Sequence, residues 1–139
     1  MLRSVIGDFA PNGLDIAIDD ASHIGAFSLE TFKAVFPLVK IGGLYIVEDW
    51  STGYWDNWAD GSRFQPFPAQ NFDRSIPKRL PSHDFGMVGF VKMLVDLVAG
   101  EDIRPDIQAP VRRKSPFAHL HFYRGLAVIR KAGELNDLI

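Results

Sequence analysis

The sequence contains no cysteine. That excludes disulfides and thiolate metal centres, and it fits a reducing compartment, so a cytoplasmic location is the expectation. Also missing is any apolar run of the roughly 18 residues that a membrane-spanning helix requires. The opening stretch MLRSVIGDFA turns acidic too soon for a secretory signal. Neither sign of charge dominates: 15 Lys plus Arg stand against 17 Asp plus Glu, a net charge of −2. This leaves no electrostatic footprint for general nucleic-acid binding. The basic cluster VRRK at 111–114 is short and reads as solvated surface. There is no internal repeat and no low-complexity tract.

What is present is the composition of an ordinary globular domain, 47% hydrophobic and 23% charged over 139 residues. One domain over 1–139 with one core is expected. LRSVIGD (2–8) is predicted to be a short strand ending at an acidic turn. After the PNG break, LDIAIDD (14–20) reads as a strand covered on both faces, because its apolar residues hardly alternate. Ser28 is the expected N-cap of a helix over LETFKAVFPLVK, with Leu29, Phe32, Phe36 and Val39 as its inner stripe and Pro37 kinking its last turn. Gly42-Gly43 then stops the helix, and LYIVED begins a second buried strand. Strand, helix and strand make a crossover unit with parallel neighbours.

Residues 51–81 read as an aromatic-rich loop or lid, with Tyr54, Trp55, Trp58, Phe64, Phe67 and Phe72 spaced among Gly, Pro, Asn and Asp. Ser82 is the expected cap of a helix to about Ala99, with inner face Phe85, Val88, Val91, Val95 and Val98, and with His83 and Asp84 as capping residues. A polar connector (101–116) leads to HLHFYRGLAVIRK, predicted to be an antiparallel hairpin turning at Arg124-Gly125 and closing one sheet edge. His119 and His121, two apart on that hairpin, can share one face.

Both strands of the crossover unit end in acids: IDDASH at 18–23 and YIVEDW at 45–50. Ligands of parallel sheets gather beyond the carboxyl ends of the strands. Asp20, Glu48 and Asp49 are hard oxygen donors, and His23 stands three residues after the first. Oxygen donors without thiolates favour Mg²⁺ or Mn²⁺. A divalent ion would relieve the repulsion among converging carboxylates and could hold a vicinal diol. His23, with an intrinsic pKa near 6.5, suits a general base. Asp19 is expected to point away, because strand residues alternate faces. The competing reading makes Asp20 and Asp49 caps of the following helix and turn, with His23 bonded to a backbone carbonyl.

The stretch LDIAIDDASHIGAFSLETFKAVFPLVKIGGLYIVEDWSTGYW resembles the metal-dependent sugar O-methyltransferases of class I, together with the cephalosporin hydroxylase-like proteins. The resemblance rests on Asp19-Asp20-Ala21-Ser22-His23 at one strand end and Glu48-Asp49-Trp50-Ser51-Thr52 at the next, with Ala21 where the family has glycine. The HFYRGLAVIRK end is similar to that family's closing hairpin. The resemblance implies an α/β, partial Rossmann-like sheet with flanking helices and a C-terminal antiparallel hairpin. It implies Asp20, Glu48 and Asp49 as Mg²⁺ ligands and His23 as the base that deprotonates a hydroxyl of a small-molecule acceptor such as a sugar. The methyl donor would be S-adenosylmethionine, with Asp8 bordering its adenine pocket and Tyr54 and Trp55 forming an acceptor platform.

The family's strand order is 3-2-1-4-5-7-6, and this chain supplies counterparts of 3, 4, 5, 6 and 7 only. Gly42-Gly43 follows a helix and GMVG lies within one, so neither makes the glycine-rich turn that cradles the cofactor. The expectation is a C-terminal part of the fold that lacks its own cofactor half. Strand 14–20 would then present an apolar edge, covered by a second copy in a homodimer or by a separate partner. The alternative is an inactive remnant or an interaction domain. No membrane and no nucleic-acid partner is expected.

Overall fold

The computed structural model describes residues 2–64, 81–100, 102–103, 114–135 and 139. Leu14–Asp19 (β1), Val39–Glu48 (β2), Phe117–Tyr123 (β3) and Leu126–Lys131 (β4) form a four-stranded sheet in the order β1-β2-β4-β3. β1 and β2 run parallel, while β4 is antiparallel to both β2 and β3. This is the α/β sheet with closing hairpin that the sequence predicted. Its turn falls at Arg124-Gly125, where Gly125 adopts φ +81°.

The first element corrects an expectation. Leu2–Phe9 is a helix, α1, rather than a strand. Leu2, Val5, Ile6 and Phe9 recur at i, i+3, i+4 and i+7, the spacing of one helix face, so the counterpart of strand 3 is absent among the described residues. Arg3 ties α1 down by donating to the carbonyl oxygens of Lys33 and Ala34.

Helix α2 spans Gly25–Val35 and begins one turn earlier than predicted. Ser28 is therefore buried inside it rather than capping it. A 3₁₀ turn at Phe36–Leu38, with Pro37 at its start, ends the helical run, and β2 begins at once with Val39. The pair Gly42-Gly43 does not end a helix but lies within β2. There the register jumps from Leu14↔Val39 to Ile16↔Leu44, and Gly42 takes φ +82°. The glycines allow a bulge that a side chain would strain.

Helix α3 spans Gly86–Val98 and starts later than the Ser82 cap implied. It buries Met87, Val88, Phe90, Val91, Leu94 and Leu97, while Val95 and Val98 are exposed. So many apolar residues line this helix that several stripes are available from sequence, and packing against α2 selects one.

The core lies between α2, α3 and one face of the sheet. Phe32 is fully buried, with its ring against Phe36, Tyr45, Phe90 and Phe117. Tyr45, Val47, Ala127 and Ile129 face it from the strands. Lys131, only 2% exposed, donates to the carbonyl oxygens of Phe36 and Pro37 and pairs with Glu134. It thereby satisfies carbonyls left orphaned at the end of the helical run. Along β1, Ala17 and Asp19 point inward, while Ile16 and Ile18 are 55% and 58% exposed. β1 is an edge strand among the described residues, and Leu2, Val5 and Phe9 of α1 are also exposed.

Candidate metal and base site

The parallel register sets the site. Asp19 pairs with Val47 across β1 and β2, so Asp20, just past the end of β1, stands level with Glu48, the last residue of β2. Asp20, His23 and Asp49 each offer a donor atom, and all three atoms lie within 4.8 Å of one another. His23 Nε2 stands 3.7 Å from Asp20 Oδ1, too long for a hydrogen bond but close enough for both to face one cation. Asp20 is exposed, whereas the His23 side chain is mostly covered.

The two turns that carry these groups share a backbone feature: His23 and Asp49 both adopt φ +50°. That left-handed conformation is unfavourable for a residue with a Cβ, and in both turns it falls at a residue whose side chain reaches the donor cluster. Glu48, still in the regular part of β2, is not in the set of donors that meet within 4.8 Å. Around Asp49, the Thr52 amide and hydroxyl both donate to its carbonyl oxygen, and Gly125 of the hairpin turn packs alongside its carboxylate. The two carboxylates, hard oxygen donors with no sulfur among them, suit Mg²⁺ or Mn²⁺, and the imidazole stands beside them as a candidate proton acceptor.

Behind the site, Asp19 is 5% exposed and faces the core, as expected for a residue alternating with Asp20. Burial pushes its carboxyl pKa up, against the pull of the Ser28 hydroxyl and the Ala21 amide. Its Oδ2 is buried without a hydrogen-bond partner among the described residues, as is the Tyr45 hydroxyl. Burial, and then the charge of Asp19, raise the Tyr45 pKa well above its ordinary value.

The aromatic segment is built rather than open where it is described. Of its two 3₁₀ turns, Trp50–Tyr54 packs against α3 and Gly61–Arg63 packs on Trp50–Tyr54, and residues 65–80 lie outside the described residues. Tyr54 packs its ring against Trp50, Phe64 and His83. Trp55 is exposed and lies 6.4 Å from Trp58. Trp58 lies edge-on to His23, with ring centroids 5.3 Å apart. His83 does not cap a helix; its Nε2 pairs with the Gly53 carbonyl oxygen at 2.8 Å, and its ring stacks on Phe85.

Asp60 was not singled out from sequence. Its Oδ2 accepts from the Gly25 amide at 2.7 Å and from the Met87 amide at 2.8 Å. It therefore caps α2 and α3 together, across 35 and 27 residues of chain. No local motif signals such a cap.

Asp8 does not follow a strand, because the segment that carries it is α1. Its neighbours Gly7 and Ala10 line a cavity of about 460 Å³ with Gly13 and Val39, at the end of the sheet opposite Asp20 and Asp49. His119 and His121 do share a face, with rings 4.5 Å apart, but they lie on β3, at the edge remote from β1. No helix among the described residues is long and apolar enough to cross a membrane.

No protein-family model matches the sequence. The chain is 34% identical over 118 residues to demethylmacrocin O-methyltransferase of Streptomyces fradiae, a match covering 84% of this chain and 26% of that protein. It is 33% identical over 131 residues to 8-demethyl-8-alpha-L-rhamnosyl tetracenomycin-C 2'-O-methyltransferase of Streptomyces olivaceus, covering 94% of this chain and 29% of that one. Among solved structures it is similar to the MycE methyltransferase of the mycinamycin pathway in complex with Mg, SAH and mycinamycin VI. There the TM-score is 0.60 at 28% identity, covering 97% of this chain and 30% of that one. The chain thus spans about a quarter to a third of the length of the relatives it matches.

Proposed function

This chain belongs with the sugar O-methyltransferases over the part of their length that it matches, and from that premise we propose that it carries the metal-and-base part of an S-adenosylmethionine-dependent O-methyl transfer. The acceptor is a hydroxyl of a sugar or similar diol. The observation that supports this reading is the meeting of Asp20, His23 and Asp49 donor atoms within 4.8 Å at the carboxyl ends of two parallel strands.

Asp20 and Asp49 would hold Mg²⁺ or Mn²⁺, with Glu48 beside them as a further carboxylate. The bound ion would lower the pKa of a coordinated hydroxyl. His23 receives that hydroxyl's proton on an imidazole nitrogen, which leaves the oxygen nucleophilic. Asp20 Oδ1, 3.7 Å away, stabilises the imidazolium so formed. Trp58 packs edge-on beside the imidazole, while the exposed Trp55 offers an apolar face to a sugar ring. Tyr54, the residue before Trp55, is packed among Trp50, Phe64 and His83. The MycE structure holds Mg, SAH and a macrolide, which agrees with this division of labour.

The edge of β1, unpaired among the described residues, is the place where further strands would add, and the exposed Ile16 and Ile18 mark the sheet face beside it. Two occupants suit it: a second copy of this chain, or the half of the fold that cradles S-adenosylmethionine and to which Asp8 would belong. If neither is supplied, metal binding would persist without methyl transfer. The cysteine-free composition agrees with action in the cytoplasm.

Two titrations test the proposal. Mn²⁺ is expected to bind wild type and not Asp20→Ala. S-adenosylmethionine is expected to give heat only when the β1 edge is covered, which light scattering reports as a dimer or a complex. Equal Mn²⁺ binding by both proteins would overturn the site, and a monomer in solution would remove self-association.

A further inference from the structure

We infer that Asp60 is a positioning residue for the metal-and-base turn, acting from the neighbouring loop through the Gly25 amide. The inference rests on the reading of Asp20, His23 and Asp49 given above, and it adds a residue with no place among the proposed ligands or base.

The turn between β1 and α2 must hold an unfavourable conformation. His23 sits at φ +50°, and its own surroundings supply little support: Ile24, at the helix N-cap, contributes no side-chain bond. Local support comes from the Ser22 hydroxyl, which accepts from the Ile24 amide at 3.2 Å, and from the Asp19 carboxyl, which accepts from the Ala21 amide. The turn is instead fixed from outside. Two residues beyond His23, the Gly25 amide donates to Asp60 Oδ2 at 2.7 Å, and the same oxygen accepts from the Met87 amide at 2.8 Å. Both amides belong to helix first turns, whose unpaired N–H groups and positive dipole ends favour a carboxylate.

The approach has no slack. A Cβ built on Gly25 would collide with the backbone of Gly86 and Met87, and one on Gly86, which has φ +59°, would collide with the Asp60 side chain. Two glycines let the helix ends close on one oxygen. The loop that carries Asp60 also carries Trp58, whose ring edge meets His23. One short segment therefore grips the turn twice: at the backbone through Asp60 and at the imidazole through Trp58. A displacement of Asp60 is passed to His23 and Asp20 rather than absorbed.

The test compares variants that separate acceptor geometry from mere folding. Asp60→Asn keeps an acceptor oxygen at the same reach and is expected to retain wild-type Mn²⁺ affinity. Asp60→Glu keeps the charge, but its extra methylene moves the oxygen off one or both amides. It is expected to bind Mn²⁺ about tenfold more weakly, the scale of outer-shell effects on metal sites. Asp20→Ala is the control that removes a ligand. If Asp60→Glu lowers the melting temperature while Mn²⁺ affinity stays at the wild-type level, Asp60 only joins two helices and the inference is overturned. If wild type and Asp20→Ala alike fail to bind Mn²⁺, the metal reading fails separately. The amide resonances of His23 and Gly25 then decide the clamp: movement of both in Asp60→Glu supports it, and an unmoved His23 overturns it.

Discussion

His23 and Asp49 sit in two different turns, yet both hold φ +50° and bring their donor atoms within 4.8 Å of each other and of Asp20. A left-handed backbone at residues with a Cβ costs on the order of 1 kcal/mol each, so the site is bought with stability. Asp49→Gly should relieve that cost at its position, raising metal-free unfolding stability by up to about 1 kcal/mol. It should also abolish Mn²⁺ binding. Urea denaturation in chelator, paired with a Mn²⁺ titration, checks both halves.

Glu48 stands next to Asp49 but in regular β2 geometry, outside the converging set. Glu48→Gln should therefore weaken Mn²⁺ binding less than Asp49→Asn or Asp20→Asn. Calorimetric titration of the three variants gives the ranking. A loss at Glu48 as large as at Asp20 would show that its side chain swings into the site when the ion binds.

Asp19 links stability to pH. Burial raises its folded pKa above the ordinary value near 3.8, so the folded chain holds this proton longer than the unfolded chain does. The associated stability is complete below the ordinary value, declines as pH rises through the folded pKa, and is gone above it. Asp19→Asn, which cannot ionise, should gain stability relative to wild type as pH rises from about 3.5 to 7. Denaturant midpoints of both proteins in chelator, measured across that range, test the sign.

The core prediction concerns Phe32, which is fully buried with four aromatic rings around it. Phe32→Ala should cost about 3–5 kcal/mol, the usual range for removing a buried aromatic. Thermal or urea unfolding measures the loss directly.

The acids at the strand ends were legible because they interrupt apolar runs, and the parallel pairing of β1 with β2 followed from one helix between them. The hairpin was legible from Arg124-Gly125. Other features were hidden for identifiable reasons. The segment 2–8 is short enough for apolar residues to suit either period, and its helical stripe at Leu2, Val5, Ile6 and Phe9 becomes evident only once Phe9 is included. Ser28 looked like a cap because Ser is a good one, but the actual cap of α2 is Asp60, 35 residues downstream. Gly42-Gly43 served equally well as a helix stop or a strand bulge, and only the register with β1 distinguishes them. Trp58 stood among several loop aromatics, and nothing in its spacing marked it as the ring beside His23.

Lys131 gives the molecule an internal reporter. Its ammonium is held by the carbonyl oxygens of Phe36 and Pro37 and by Glu134, with almost no exposed surface. Amine-acylating reagents that modify Lys33 or Lys40 should therefore pass over Lys131 until α2 and β4 separate. Mass spectrometry of the labelled chain would then time the opening of the core without any engineered probe.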